Sequence, residues 1–309
     1  MTQWTLDGKV ILITGGARGI GAATGRELAR RGARPVLADL DSEALDATAK
    51  SFPQEPLTID LDVTNAAACD AAVERVLAEH GRLDAVWANA GIASFGPLQV
   101  TSAEAWRRTI DVNLVGAYQT VHAALGPVIE QRGYVAVTAS LASFAHVPGM
   151  SAYCATKAGV EAMCNSLRNE VAHLGVDVAT IHPTWIDTDM VREGDEAQPA
   201  FQRLRAAMRP PFKRTYPLDR AVTDIVAGFE QRRRRICVPR FVYLAHALRP
   251  LLTTRLMERD QLAIAPELER SFRRELAERG AVGASVSERT AKQLAHANDP
   301  AQANEPAHA

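Results

Sequence analysis

The length, composition and charge of the chain already exclude several classes of protein. It has 309 residues, 47% of them hydrophobic, enough to bury about three quarters of the unfolded surface. A formal net charge of −1 offers no overall attraction to nucleic acid. No apolar stretch reaches the roughly 18 residues of a membrane span, and the N-terminus lacks the apolar core of a signal peptide. We therefore expect a cytoplasmic globular protein without a nucleic-acid partner.

The cysteines suggest neither a metal site nor a disulfide framework. They form no Cys-x-x-Cys pair and no other spacing typical of metal ligands. Buried free thiols in a reducing compartment are the favoured interpretation. No metal ligand is therefore predicted among Cys69, Cys154, Cys164 and Cys237.

The first predicted unit is a strand, a glycine-rich turn and a helix. Residues 9–14 are apolar and β-branched, and residues 22–31 are amphipathic and end before a glycine. Between them lie Gly15, Gly19 and Gly21. Glycines tolerate positive φ and let the backbone approach a pyrophosphate, which then lies on the helix N-terminus. The unit predicts a dinucleotide-binding turn.

Further strand-like runs alternate with helical stretches along the chain. This alternation predicts a parallel sheet covered on both faces, a doubly wound α/β fold. Thr101 followed by Glu104 has the spacing of a capping box and predicts the start of a helix. The predicted strands after the first are residues 35–38, 57–63, 84–88, 134–140, 176–181 and 236–239.

A tyrosine and a lysine four residues apart carry the main chemical signal. Tyr153 and Lys157 share one face of a predicted helix, close enough to interact. A free tyrosine has a pKa near 10, and an ammonium beside it favours the phenolate and lowers that pKa. Such a tyrosine can give a proton to a ketone or take one from an alcohol. The pair occurs by chance in many helices, so its weight comes from the glycine turn upstream.

Taken in order, these motifs resemble the short-chain dehydrogenase/reductase family over roughly residues 5–240. The turn has the family's spacing Thr-Gly-x-x-x-Gly-x-Gly, and Tyr-x-x-x-Lys lies on a later helix. The further matches are the adenine-contacting pair Asp62-Val63, the segment Asn89-Ala90-Gly91, and Pro183. Two positions depart from the family pattern: Ala88 replaces the first Asn of Asn-Asn-Ala-Gly, and Thr184 follows Pro183 where the family has glycine. The second departure leaves the geometry of the turn after Pro183 open.

The resemblance implies a Rossmann fold and a role for each matching residue. It makes Tyr153 the acid/base, while Lys157 lowers its pKa and holds the nicotinamide ribose. Ser140 steadies the substrate oxygen, and Asn113 keeps a water that links Lys157 to solvent. The implied cofactor-binding residues, besides Tyr153 and Lys157, are Gly15, Arg18, Gly19, Ile20, Gly21, Asp39, Asp62, Val63, Asn89, Ala90, Gly91, Pro183, Ile186 and Thr188.

Two residues pull the choice of cofactor in opposite directions. Asp39 ends the second predicted strand about 20 residues beyond the turn, where an acid accepts hydrogen bonds from the adenosine ribose hydroxyls. It would repel the 2′-phosphate of NADP, at a cost on the order of 4 kcal/mol near 4 Å for an effective dielectric of about 20. Arg18 could offset this by meeting the phosphate, or could simply pair with Asp39. The balance favours NAD over NADP.

The resemblance also implies the reaction, a metal-free hydride transfer between the nicotinamide and a secondary alcohol or ketone. An apolar lid and extension suggest that this substrate is hydrophobic. A non-catalytic regulator that senses the cofactor is one alternative, but such relatives usually lose the tyrosine or the lysine. An enzyme attached peripherally to a membrane through its C-terminal extension is the other.

The chain divides into a catalytic domain and a C-terminal extension. Residues 1–240 form the dinucleotide-binding domain, and residues 190–218 are expected to be a mobile lid rather than a packed element. Residues 241–294 are a helical extension with three competing interpretations: packing on the parent domain or a second subunit, closing the substrate pocket, or lying on a membrane surface. Residues 232–235, four arginines, are interpreted as a solvated helix end in preference to a phosphate or lipid contact. Residues 295–309 lack periodicity and are predicted to be disordered.

A homodimer or homotetramer is expected from the resemblance. Relatives pair through the helices that hold Asn113 and Tyr153, forming a four-helix interface. Small residues on the second of these helices permit close approach between subunits: Ala155, Ala158, Gly159 and Ala162.

Overall fold

Seven parallel strands form the centre of the molecule. The computed structural model describes residues 4–197 and 199–279. Within these residues the strand order is β3-β2-β1-β4-β5-β6-β7, and every neighbouring pair is parallel. The strands are β1 (Val10–Thr14), β2 (Arg34–Asp39), β3 (Thr58–Asp60), β4 (Ala85–Ala88), β5 (Tyr134–Thr138), β6 (Asp177–Pro183) and β7 (Arg235–Val238).

Helices cover both faces of this sheet. Helices α3, α5 and α6 pack on one face, and α1, α2 and α9 pack on the other. The helices are α1 (Gly19–Arg30), α2 (Ser42–Ala49), α3 (Ala66–His80), α4 (Ala103–Ile110), α5 (Gly116–Glu130), α6 (Ser151–Val171), α7 (Asp189–Ala197), α8 (Pro199–Ala207), α9 (Leu218–Glu230), α10 (Phe241–Ala247), α11 (Arg249–Leu252) and α12 (Arg255–Arg279).

Strand β1 shows why the sequence forms this two-sided core. Its side chains alternate between the two faces, as the pleat requires. Val10 and Leu12 join the cluster beneath α3, α5 and α6, whereas Ile11 and Ile13 join the one beneath α1 and α9. All four are buried. A strand that is buried on both faces has a continuous apolar run in its sequence. The predicted doubly wound α/β fold is confirmed.

The strand order places the functional edge of the sheet. The chain runs outward from β1 to β2 and β3, then returns to the other side of β1 as β4. In such sheets ligands bind in the crevice at the carboxyl ends of the strands, at the point where the order reverses. The loops after β1 and β4 therefore face each other across this crevice.

Three local predictions need correction. The capping residue of α4 is Ser102, whose Oγ accepts from the backbone N–H of Ala105 at 3.1 Å, whereas the Thr101 hydroxyl donates to backbone carbonyls. Strand β3 is shorter than predicted, so Asp62 and Val63 lie in the loop after it. Asn113 lies in a π-helical turn, Asp111–Val115, that joins α4 to α5.

The arginine run after α9 is also not a solvated helix end. Arg235 begins β7 rather than ending a helix. Arg232 donates to the backbone carbonyls of Gly133 and Gly175 and pairs with Asp177 at 2.8 Å. It therefore ties the loop after α9 to the amino ends of β5 and β6.

The expected lid contains α7 and α8, and α8 is packed rather than loose. Phe201 and Leu204 on α8 are fully buried, together with Leu268 and Phe272 on α12. The extension thus lies against the lid through an apolar cluster. The predicted disordered tail, residues 295–309, lies outside the described residues.

Candidate active site

The turn between β1 and α1 has the geometry of a dinucleotide cradle. Gly15 and Gly19 have positive φ, +68° and +55°, which side chains rarely adopt. A Cβ at Gly21 would lie 2.2 Å from the carbonyl oxygen of Gly15, and one at Gly15 would lie 2.9 Å from Ala90 Cα. Arg18, which precedes α1, makes no side-chain capping bond to the helix. The turn therefore leaves a helix N-terminus for an anion, and these residues fit a dinucleotide.

A chain of hydrogen bonds joins the ends of three adjacent strands beside this turn. Thr14 Oγ1 accepts from the backbone N–H groups of Asn89 and Ala90 at 3.1 and 3.2 Å. Asn89 Nδ2 donates to the carbonyl of Gly15, and its Oδ1 accepts from the Thr138 hydroxyl at 3.0 Å. Thr14 and Thr138 were not predicted as site residues, although both end strands at the crevice.

The predicted ribose-binding acid, Asp39, is held by the backbone. Its carboxylate accepts from the N–H groups of Ala17 at 3.0 Å and Asp41 at 3.2 Å. Arg18 forms an ion pair with Asp41 at 2.6 Å, a partner that the sequence interpretation did not consider. A second carboxylate therefore stands beside Asp39 at the adenosine end of the crevice.

The tyrosine and lysine of α6 meet at the nicotinamide end of the crevice. Lys157 is buried, and its Nζ donates to the carbonyl of Thr138 at 2.7 Å and lies 5.6 Å from the centre of the Tyr153 ring. Ser143 Oγ donates to the Lys157 carbonyl at 2.9 Å and accepts from Ser140 N–H. The loop after β5 is thereby fastened to the helix that carries the tyrosine.

Burial sets the ionisation of both side chains. It raises the pKa of Tyr153 to about 12, although a hydrogen bond with Ser140 acts in the opposite direction. Burial also lowers the pKa of Lys157 to about 8. The direction for Tyr153 is opposite to the one expected from the sequence. In this structure the lysine ammonium bonds to a backbone carbonyl instead of the phenol, so it does not offset the burial.

Asn113 supports the site from behind rather than lining it. Its Nδ2 donates to the carbonyl of Ile92 and its Oδ1 accepts from the N–H of the same residue, both at 2.8 Å. A Cβ on Gly91 would lie 3.2 Å from Asn113 Oδ1 and 3.6 Å from Lys157 Nζ. Glycine at this position lets the asparagine, the lysine and the β4 loop approach one another.

A buried histidine that was not predicted holds the serine loop from below. His182 Nδ1 lies 3.0 Å from the carbonyl of Ser140, and its Nε2 lies 2.9 Å from Thr180 Oγ1. Burial lowers the pKa of His182 to about 4, so its imidazole is neutral at pH 7. We assign the proton to Nδ1, because the carbonyl can only accept. No spacing in the sequence marks this contact.

One cavity of about 370 Å³ runs from the adenosine end to the substrate side. Every predicted site residue lines it except Gly21 and Asn113. Thr184 stands where the family has glycine, and its backbone still bonds to β7, because the Thr184 N–H donates to the carbonyl of Val238 at 3.0 Å. Thr188 lies beside Gly19 and donates to the carbonyl of Ile186. The loop after β6 therefore approaches the glycine turn.

The substrate side of the cavity is mostly apolar and includes part of the extension. The lid and the loops after β4, β5 and β6 contribute aromatic and thioether side chains, and Trp185 and Phe201 pack with ring centres 5.4 Å apart. Of the three interpretations of the extension, the lining of the substrate pocket is supported by the residues on its inner side. The residues on this side include Phe95, Met150, Trp185, Phe201, Met208 and Phe212, and from the extension Leu252, Met257, Asp260 and Gln261.

Among the described residues there is neither a metal-ligand cluster nor a membrane-spanning helix. Over residues 4–197 and 199–279, no three His, Cys, Asp or Glu side chains are grouped so that they could hold a metal ion. Among the helices of the same residues, none combines the length and apolar character needed to cross a bilayer.

Comparison with known proteins agrees with this site. The family model described as short chain dehydrogenase matches residues 9–199. The 3-oxoacyl-(acyl-carrier-protein) reductase of Thermotoga maritima is 34% identical over 213 residues, covering 68% of this chain and 85% of that protein. The (−)-trans-carveol dehydrogenase of Rhodococcus erythropolis is 35% identical over 205 residues, covering 60% of this chain and 74% of the relative.

Solved structures share the architecture. Levodione reductase superposes with a TM-score of 0.69 at 27% identity, over 76% of this chain and 96% of its own. A short-chain dehydrogenase/reductase of Burkholderia phymatum, solved in complex with NAD, has a TM-score of 0.68 at 24% identity, over 91% of this chain and 98% of its own. The second likeness concerns the fold alone. The glycine cradle, the Tyr153–Lys157 pair and the family match together identify the chain as an oxidoreductase of the short-chain dehydrogenase/reductase family.

Proposed function

We propose that the protein interconverts a hydrophobic secondary alcohol and its ketone, with NAD as the preferred cofactor. The observation that carries the proposal is the position of Tyr153, which lines the same cavity as the glycine cradle and the apolar substrate side. When bound, the nicotinamide supplies or accepts the hydride. The residues of the chain bind it, orient the substrate and move the proton.

Tyr153 is the acid/base, and Ser140 is its partner at the substrate oxygen. In the direction of reduction the phenol gives its proton to the carbonyl oxygen, and in oxidation the phenolate takes the proton of the alcohol. A pKa of about 12 keeps Tyr153 protonated at neutral pH, which suits the donor role. Lys157 and Asn113 position the site, and Lys157 is proposed to hold the nicotinamide ribose.

NAD is favoured because two carboxylates stand at the adenosine end. Asp39 is oriented there by backbone N–H groups, and Arg18, the cation that could meet a 2′-phosphate, is paired with Asp41. A phosphate would have to compete with this ion pair and approach Asp39. The carboxylates therefore favour the ribose hydroxyls of NAD over the phosphate of NADP.

The cellular setting is part of the proposal. All four cysteines are free and buried, which fits a reducing compartment, and we place the enzyme in the cytoplasm. A homodimer or homotetramer through α5 and α6 is proposed as its assembly. Ala155 and Ala162 are exposed on α6, as such an interface needs.

Replacing Tyr153 by phenylalanine tests the proposed chemistry. Tyr153→Phe keeps the ring and deletes the proton, so turnover should fall about 10²–10⁴-fold while cofactor binding survives. Turnover is measured with a panel of secondary alcohols and ketones, and binding by quenching of protein fluorescence. Tyr118→Phe, at a 51% exposed position on α5, is the matched control and should retain wild-type turnover. A Tyr153→Phe enzyme with more than about a tenth of wild-type turnover would refute the assignment.

The same experiment separates the enzyme from a non-catalytic cofactor sensor. A sensor would bind the nicotinamide without turnover in either form of the protein. Asn113, Ser140, Tyr153 and Lys157 are all present and grouped around one cavity, which favours the enzyme.

A further inference from the structure

Helix α10 has a buried side, and exposed apolar side chains extend from this helix into α11. Val242 and Ala245 are buried against the loop after β5. Leu244, Leu248 and Leu251, spaced four and three residues apart, are 63%, 44% and 54% exposed. Leu244 lies on α10, Leu251 lies on α11, and Leu248 joins the two helices. Three large apolar side chains close together in the chain are therefore exposed to solvent.

Exposed leucines continue onto the start of α12. The inner side of this helix carries Ile264, Leu268 and Phe272, which pack on the lid. Leu256 and Leu262 lie away from that contact and are 70% and 59% exposed. Scattered exposed leucines are normal, but five within one consecutive segment mark an interaction surface.

Arginines flank these leucines. Residues 240–262 contain four arginines and only two acids, although the whole chain has a net charge of −1. One of the acids, Asp260, is paired with Arg209 of the lid. The segment is therefore locally cationic. Arg249 is paired with Glu161 at 3.3 Å. We define the leucine–arginine surface as Leu244, Leu248, Leu251, Leu256 and Leu262 with Arg240, Arg255 and Arg259, all of which are exposed.

We propose that the leucine–arginine surface docks the protein onto an anionic lipid bilayer. Exposed leucines can insert at the boundary between headgroups and acyl chains, while guanidinium groups bind the lipid phosphates. Each cation near an anionic membrane adds on the order of 1 kcal/mol of attraction. The helices lie on the membrane, because none of those in residues 4–197 and 199–279 is suited to span it.

A second copy of the chain is the main competing occupant. A two-fold dimer brings the same patch of both subunits together. Here that would place Arg240, Arg255 and Arg259 of one subunit against those of the other, and like charges across an interface are unfavourable. A negatively charged lipid surface offers acyl chains to the leucines and phosphate groups to the arginines.

The inner side of the same segment connects membrane docking to substrate access, an argument that rests on the proposed function. Leu252, Met257 and Gln261 line the substrate side of the cavity, behind the exposed leucines. Docking therefore brings the outer wall of the cavity to the lipid boundary. A hydrophobic alcohol or ketone dissolved in the membrane is the class of substrate that this arrangement would serve.

Vesicle co-sedimentation of the full chain tests the docking without any measurement of turnover. The probes are vesicles of phosphatidylcholine alone and vesicles of phosphatidylcholine with an equal amount of phosphatidylglycerol. We expect binding to the second kind, weakened as salt is raised, and little binding to the first. Absence of binding to the anionic vesicles would overturn the docking and leave the proposed reaction untouched.

Two double variants assign the binding to this surface. Leu248→Gln/Leu251→Gln should weaken binding to the anionic vesicles by about tenfold or more, because two apolar side chains no longer insert. The matched control is Leu98→Gln/Leu174→Gln, at positions 68% and 37% exposed elsewhere. Arg255→Gln/Arg259→Gln should reduce both the binding and its salt dependence, with Arg75→Gln on α3 as its control.

Light scattering and circular dichroism complete the test. Thermal unfolding followed by circular dichroism shows whether each variant folds. If the leucine variant does not fold, the vesicle binding of the arginine variant alone tests the proposal. Wild-type binding by the folded variants would overturn the proposal. So would a leucine variant that dissociates an oligomer while its vesicle binding is unchanged, since the surface would then hold a second copy of the chain.

Discussion

The cofactor side of the cavity and its outer wall are built in different ways. The cofactor side consists of loops at the carboxyl ends of parallel strands, joined by hydrogen bonds such as those of Thr14 and Asn89. The outer wall is α12, which packs on α8 through an apolar cluster that includes Phe201 and Phe272. Backbone geometry therefore positions the first region, and side-chain packing positions the second. Substitutions should affect the two regions differently.

The largest effect on cofactor binding is expected from a methyl group in the glycine cradle. A Cβ at Gly21 would lie 2.2 Å from a carbonyl oxygen of the same turn, so Gly21→Ala must displace the backbone. We expect cofactor affinity to fall by more than about 100-fold, equivalent to roughly 2.7 kcal/mol. Isothermal titration calorimetry with NAD measures this.

A glycine in open space provides the control for that substitution. A Cβ at Gly126, on α5, would meet no atom within 4 Å, and Gly126→Ala should leave affinity unchanged and add about 0.5–1 kcal/mol of stability. If Gly21→Ala bound NAD as tightly as the wild type, the backbone would not be what positions the cofactor side.

The outer wall should respond instead to the loss of a packed side chain. Phe272→Ala removes a fully buried ring from the cluster shared by α8 and α12, at a cost of about 3–5 kcal/mol. We expect hydrogen exchange in α12 to accelerate, while cofactor affinity stays close to that of the wild type. Leu262→Ala, at a 59% exposed position on the same helix, should change neither. Slow exchange in the Phe272→Ala variant would show that other contacts hold the wall.

A buried carboxylate connects α6 to the first helices of the extension and gives a pH-dependent prediction. Glu161 on α6 is buried and accepts from His246 Nε2 at 2.9 Å and Arg249 at 3.3 Å, both on the extension. Burial alone would raise its pKa, but the hydrogen bond from His246 and the positive charge of Arg235 hold the pKa below its usual value.

The sign of the pH effect follows from that lowered pKa. The ionised Glu161 contributes stability above the pKa of the unfolded chain, and this contribution is lost as the pH falls through the folded pKa. Glu161→Gln should therefore cost about 1–3 kcal/mol at pH 7 and much less in acid. Urea unfolding at both pH values measures it, with Glu170→Gln, exposed on the same helix, as control. An equal cost at both pH values would contradict the ionic origin.

The smallest effect concerns the choice between cofactors. Asp39→Ala removes the carboxylate that a 2′-phosphate would approach, so the ratio of kcat/KM for NAD to that for NADP should fall by about tenfold or reverse. Steady-state rates with both cofactors provide the ratio. Asp60→Ala, an exposed acid opposite Asp39 in the register of β2 and β3, is the control. A wild-type enzyme that prefers NADP would contradict the assignment of NAD.

The cofactor side was predictable because chain order and strand direction place its residues. Gly15, Asn89 and Ser140 each follow a recognisable strand, and the carboxyl ends of parallel strands meet at one edge. Their convergence on one cavity needed no knowledge of side-chain packing. The proximity of Tyr153 and Lys157 was predictable for a similar reason, since four residues is about one turn of helix.

Features that depend on neighbours distant in the sequence were not predictable. The choice of Asp41 as the partner of Arg18 depends on the loop after β2, and two adjacent hydroxyl residues left the cap of α4 uncertain by one position. The direction of the pKa shift of Tyr153 depends on the burial of its surroundings. The inner contacts of α12 likewise depend on a helix far earlier in the chain.

The position of α12 after the sheet in the chain has a consequence for biosynthesis. Domains generally fold from the N-terminus while a chain emerges from the ribosome, at about 5–20 residues per second. All seven strands emerge before Phe272, so the cofactor side can form while the outer wall is still being made. A nascent chain can therefore meet its first dinucleotide through a cleft that is still open on the side where α12 will later dock.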